Sequence, residues 1–83
     1  MTDTSLVNRT LSAILRRILN GEYEETLPPQ DTLSRDLGVS RTVLREACAV
    51  LRFCNVLDVR PKTGTKVNDR AVWKSAILEG MEQ

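Results

Sequence analysis

Histidine is missing from this chain of 83 residues. With it go the commonest proton shuttle near neutral pH and a common metal ligand. No nucleophile–base pair of the Ser–His or Cys–His kind can be assembled, and no glycine-rich loop is present to cradle a phosphate. An enzyme is therefore not expected, nor is a cofactor or a metal. Aromatic residues amount to one Trp, one Tyr and one Phe, which excludes a stacking platform for single-stranded bases. The two cysteines, Cys48 and Cys54, lack the paired spacing of a zinc site. Six positions apart on one predicted helix, they point to different faces, so free buried or half-buried thiols are expected rather than a disulfide. No apolar run approaches the roughly 18 residues of a membrane span, and nothing at the N-terminus resembles a signal peptide. A soluble, cytoplasmic protein without membrane contact is expected.

Length and composition bound what remains. At 83 residues and 41% hydrophobic content, the chain supports one small folded domain with a modest core. Its formal net charge is only +1, yet that charge is unevenly placed. From Ser34 to Lys66 the basic residues are Arg35, Arg41, Arg45, Arg52, Arg60, Lys62 and Lys66, against Asp36, Glu46 and Asp58. The seven cations exceed the three acids by four, which leaves the remaining segments together about three units negative. A solvated face of ordinary surface charges would explain this alone, but the surplus coincides with a turn motif.

That motif is Leu37-Gly38-Val39-Ser40-Arg41-Thr42-Val43-Leu44-Arg45-Glu46-Ala47. Gly38 permits a sharp turn, Val39 anchors it from beneath, and Ser40 can cap the following helix by accepting a backbone N–H. Arg41, Thr42 and Arg45 then stand on the first turns, where a recognition helix meets base edges in the major groove of DNA. Ahead of it, Val7, Leu11, Ile14, Leu15 and Ile18 recur at helical spacing and predict a first helix over 5–19, stopped by Asn20-Gly21. The segment 22–26 is acidic and connective. Leu27-Pro28-Pro29 introduces a second helix over 30–37, in which Leu33 and Leu37 bury. The third helix spans 41 to about 54, with Leu44, Ala47, Cys48 and Leu51 inward, Thr42, Arg45, Ala49 and Arg52 outward, and Asn55 as its cap. Short strands over 56–60 and 65–67 enclose a tip at 61–64. The tail from Arg70 is expected to form a fourth helix carrying Trp73, Ile77 and Met81.

Three helices and a small hairpin make a winged helix-turn-helix, mainly α with a β-hairpin. In this order the blocks resemble the N-terminal domain of the GntR family of bacterial transcription regulators, over roughly Leu11 to Asn68. The likeness is carried by Ile18-Leu19-Asn20-Gly21-Glu22-Tyr23, Leu27-Pro28, Leu33, Leu37 to Thr42, Arg45-Glu46-Ala47, Leu51 and Gly64-Thr65-Lys66-Val67. The run through Val67-Asn68 to a Trp is most similar to the FadR-type (FCD) branch. The resemblance implies a repressor or activator that binds an inverted-repeat operator as a dimer. It also implies a larger C-terminal domain that takes a small-molecule or metal-dependent effector and supplies the dimer contacts. On that basis residues 1–68 are assigned to DNA binding and 69–83 to a linker. The chain is expected to be either an excised domain, the favoured reading, or a naturally short regulator. In isolation it is expected to be monomeric, and Trp73 is assigned to anchoring the absent domain, with packing on the winged-helix core as the alternative.

Departures from the family pattern are informative. Glu24-Glu25 replaces a Pro-Gly pair, and Pro29 replaces the serine that caps the second helix. Asp31 stands where FadR-type proteins often place an arginine, so a phosphate contact there is lost or passes to Arg35. Asn55 and Lys62 each replace a glycine, at the end of the third helix and in the wing. The DNA-contacting set expected from motif and resemblance together is Arg35, Ser40, Arg41, Thr42, Arg45, Lys62, Thr63, Gly64 and Lys66. Arg41 and Arg45 are assigned to bases or phosphates, and Ser40 and Thr42 to capping with phosphate contact. Lys62, Thr63, Gly64 and Lys66 are assigned to the minor groove or its phosphates. Arg52 is expected in solvent or paired with an acid. The competing function is a winged helix used for protein–protein docking without DNA, which would favour an apolar outer face on the third helix over this basic one.

Overall fold

Helices form where the apolar spacing places them. The computed structural model describes residues 4–23, 25–60 and 64–73. Helix α1 spans Thr4–Leu19, α2 Gln30–Leu37 and α3 Arg41–Phe53, followed by strands β1 Leu57–Arg60 and β2 Gly64–Val67 and a 3-10 turn at Arg70–Val72. On α1, Val7, Ile14 and Leu15 are buried, with Leu11 and Ile18 partly so. Thr10 joins that stripe at little cost because its hydroxyl donates to the Leu6 carbonyl at 2.8 Å. Beyond the helix, Gly21 has φ +79°, and the N–H of Glu22 reaches back to the Arg17 carbonyl at 3.0 Å. The Arg17 guanidinium donates to the Tyr23 hydroxyl at 3.1 Å, which ties the connection to the helix end and raises the arginine pKa above its ordinary value.

Helix α3 is the centre of the core. Val43, Leu44, Ala47, Cys48 and Leu51 face inward, and α1 packs across them. Ile14, Leu33, Leu44, Leu51 and Val56 are the largest side chains withdrawn from solvent altogether. The end of α3 is set by Asn55, which takes φ +65° so that the Val56 N–H can reach the Leu51 carbonyl at 2.9 Å. Asparagine tolerates this left-handed position better than most residues, which explains its use where a glycine is usual. Cys48 is buried, Cys54 half-buried, and both thiols are free, as expected.

The hairpin is antiparallel, pairing Leu57 with Val67, Asp58 with Lys66, Val59 with Thr65 and Arg60 with Gly64. Val56 lies outside β1 because its N–H closes the helix end, while Gly64 joins β2. The tip residues 61–63 lie outside the described residues. The connection over 22–26 proves to be more than connective. Thr26 forms a bridge with Lys66, the Leu27 N–H donates to the Thr65 carbonyl at 3.0 Å, and the Val67 N–H donates to the Glu25 carbonyl at 2.7 Å. The free edge of β2 is thus covered by a short strand-like rung, which burial of Leu27 holds in place.

The tail corrects one expectation, and most of the span expected to form a fourth helix lies outside the described residues. Among the described residues only the single turn at Arg70–Val72 forms, capped by the Asp69 carboxylate accepting from the Ala71 N–H at 3.2 Å. Ile77, Met81 and most of the assigned linker lie outside the described residues. Trp73 packs on the winged-helix core, where it is only 6% exposed and its indole N–H donates to the Asn68 carbonyl at 3.1 Å. An indole that can satisfy its one donor locally gains more from burial than from solvent. No described helix is long and apolar enough to cross a membrane.

Candidate nucleic-acid interface

The turn between α2 and α3 is built from backbone outward. Gly38 has φ +67°, a conformation that costs glycine nothing and would strain a side chain there, although a Cβ would meet no neighbour. Its N–H donates to the Arg35 carbonyl at 3.2 Å, and that of Val39 donates to the Ser34 carbonyl at 3.1 Å. Val39 then packs against the core and Ser40 starts α3 by accepting the Val43 N–H at 3.2 Å. By contrast α2 begins at Pro29 with no side-chain cap, as its sequence implies. Ser40→Ala should lower stability by about 1 kcal/mol, the usual worth of such a cap, and Ser40→Asp should restore it. Urea unfolding followed by helical circular dichroism measures both.

With its inner face committed to the core, α3 presents Thr42, Arg45, Ala49 and Arg52 outward, all exposed. They line one open groove with Glu46, with Gln30 from α2, and with Val59 and Thr65 from the hairpin. Cys48 borders it from beneath, and burial pushes its thiol pKa up, with a smaller opposing pull from the Arg52 cation. A groove walled by a helix and a hairpin, with guanidinium donors on two turns, can grip polar edges and anions. Glu46 lowers its net charge.

The nine site residues do not all converge. Thr42 and Arg45 share the groove, and Ser40 stands at its helix N-terminus. Arg41 is exposed beside them but engaged in an ion pair with Asp31 on α2. Arg35 lies along its own helix, its Nε donating to the Asp31 carbonyl at 3.4 Å, and does not line the groove. On β2 it is Thr65 that lines the groove, because alternate residues of a strand face opposite sides. Lys66 is exposed on the other side, across from Asp58. Asp58 itself pairs with Arg60 at 3.2 Å. Gly64 is exposed at the base of the tip with φ +84°. Lys62 and Thr63 lie outside the described residues.

Sequence reasoning left two groove-lining residues unnamed. Gln30 and Thr65 enter the groove only through folding, and no local signal marks them. Arg52 is exposed, as expected, along the same groove, and the ion pairs among the described residues do not include it. It stands seven residues after Arg45, two turns along one face. No group of acids and cysteines among the described residues is placed to hold a metal ion.

Known proteins share this arrangement. Residues 6–67 match the family described as bacterial regulatory proteins, gntR family. An uncharacterised HTH-type transcriptional regulator of Escherichia coli K12, YieP, is 40% identical over 62 residues, covering 72% of this chain and 27% of that protein. Another from Mycobacterium tuberculosis, Rv0494, is 38% identical over 76 residues, covering 88% of this chain and 31% of that protein. The chain thus spans about a third or less of the relatives it matches. Among solved structures, Streptococcus agalactiae GntR superposes with a TM-score of 0.68 at 36% identity, covering 77% of this chain and 32% of that one. S. agalactiae BusR, solved in complex with its busAB-promotor DNA, superposes with a TM-score of 0.73 over the whole of this chain and 38% of its own, at 21% identity, a likeness of fold. The capped turn, the outward basic face of α3 and the hairpin beside it lie within the matched span, and the chain belongs to the gntR family of bacterial regulatory proteins.

Proposed function

We propose that this chain binds double-stranded DNA sequence-specifically, as the DNA-reading part of a bacterial transcription regulator. One observation carries the reading: α3 spends its apolar face on the core and leaves Thr42, Arg45 and Arg52 exposed along a groove that the hairpin borders. In this reading α3 enters the major groove, with Arg45 and Arg41 directed at bases. Ser40 and Thr42 approach a phosphate at the helix N-terminus. The hairpin residues Lys62, Thr63, Gly64 and Lys66 follow the adjacent minor groove or its phosphates. Arg35, lying along α2, is left to a backbone contact.

The family supplies the wider frame. The relatives extend well beyond the span matched here, which supports a C-terminal effector-binding domain, homodimerisation and an inverted-repeat operator in the cytoplasm. The approach to Trp73 through Val67-Asn68 favours the FadR-type branch, whose resemblance implies a repressor or an activator. BusR, a neighbour in fold, was solved in complex with promoter DNA, which supports DNA as the partner of this fold.

Genomic DNA fragments retained by this chain at moderate salt, then sequenced, test the reading. Enrichment of an inverted repeat or its half-site supports it. Retention without enrichment overturns sequence-specific reading by this chain and leaves phosphate binding. No retention even at low salt overturns DNA binding and turns attention to protein docking.

A further inference from the structure

Asp31 is an acid on the surface assigned above to DNA. It sits in the first turn of α2, and its Oδ1 is paired with Nη2 of Arg41, the first residue of α3. The two side chains remain 57% and 68% exposed, so both are open to a ligand while paired. Their backbones are well fixed. The Asp31 carbonyl accepts from the Ser34 hydroxyl at 3.1 Å and from Arg35 Nε at 3.4 Å, and Arg41 follows the capped Ser40.

We propose that Asp31 is a specificity-determining residue, which positions Arg41 for bases and withholds it from phosphates. The proposal rests on the DNA-binding reading. A guanidinium carries five N–H donors, two of them on Nη2, so one contact from Nη2 to Asp31 leaves a second Nη2 donor to act with Nη1 or with Nε as a fork on the O6 and N7 acceptors of a guanine. The pair as a whole is neutral, so its pull on the phosphate backbone is small, and that pull is the part of DNA affinity that carries no sequence information. Asp31 thereby lowers binding to random DNA more than binding to the preferred site. The carboxylate also stands ready to accept from a cytosine amino group beside the guanine.

The test begins with the site that the unaltered chain selects from a random duplex library. Affinities for that site and for a random duplex are then measured across salt for the unaltered chain, Asp31→Ala, Asp31→Glu, Arg41→Ala and the double variant Asp31→Ala/Arg41→Ala. Asp31→Ala should bind random duplex about three- to tenfold more tightly, with a salt slope steeper by about one as Arg41 takes up a phosphate. The ratio of site to random affinity should fall about tenfold, and Asp31→Glu should retain most of it. In the Arg41→Ala background the Asp31 change should alter neither the ratio nor the slope. An unchanged ratio in Asp31→Ala overturns the proposal. So does the same change with and without Arg41, which would make Asp31 a simple repulsive charge. If the unaltered chain selects no sequence, the DNA-reading proposal itself fails and this one falls with it. Circular dichroism of each variant verifies that the exposed substitution leaves the fold intact.

Discussion

Arg45→Ala should abolish most of the chain's preference for its operator while leaving binding to random duplex within a fewfold of the original. Arg45 stands one turn into α3, exposed, in the groove shared with Thr42 and Gln30. A bidentate contact to guanine discriminates by about 1–3 kcal/mol, which is roughly 5- to 150-fold in affinity ratio. Arg41→Ala should act in the same direction. Lys66→Ala should weaken operator and random DNA about equally and flatten the salt slope by about one, as the loss of a phosphate contact does. Titrations of the selected site and a scrambled duplex at several salt concentrations separate the two behaviours. Equal losses on both duplexes for Arg45→Ala would remove it from base reading and leave it as a phosphate clamp.

Much of this surface was legible in the chain because its determinants are local. Helical periodicity marks Val7, Ile14 and Leu15, and the same rule separates Leu44, Ala47 and Leu51 from Thr42, Arg45 and Ala49. Gly38 and Ser40 announce the turn through conformational and capping preferences that need no neighbours. Pairing across the fold was less accessible. The carboxylate of Asp31 was expected to cost a phosphate contact, and its pairing with Arg41, ten positions on, follows from the α2–α3 crossing, which no local signal gives. That phosphate contact was expected to be lost or to pass to Arg35, whose Nε here donates to the Asp31 carbonyl one turn back on its own helix. The rung at 25–27 was read as acidic connection because its two donors to and from β2 are backbone groups, which composition does not reveal. Strand alternation, which turns Thr65 to the groove and Lys66 away, depends on a register that the sequence left open by a residue at each strand start.

Trp73, for which the anchoring role was favoured over core packing, packs on the core, and its substitution should have the largest effect on stability. Its indole fills the core beside the hairpin base, and its N–H donates to the Asn68 carbonyl at 3.1 Å. Asn68 in turn donates its N–H to Val56 at 2.9 Å and its side-chain amide to the Asn55 carbonyl at 3.1 Å. The 3-10 turn, the hairpin base and the end of α3 are therefore joined through these two residues. Trp73→Ala removes a large buried ring and leaves the Asn68 carbonyl without its partner, a loss of about 3–5 kcal/mol. A domain of this length has about 4–12 kcal/mol in all, so the variant should melt far below the original or be partly unfolded at 37 °C. Trp73→Phe keeps most of the ring contact and loses the donor, and should cost nearer to about 1–2 kcal/mol. Urea unfolding followed by circular dichroism at helical wavelengths ranks the three proteins. Were Trp73→Ala within about 1 kcal/mol of the original, the ring would contribute nothing to this core, and a role in contacting a further domain would be the better account of it. Because Trp73→Phe leaves α3 and its groove untouched, it should retain the operator preference that Arg45→Ala loses, which separates what holds the domain together from what reads DNA.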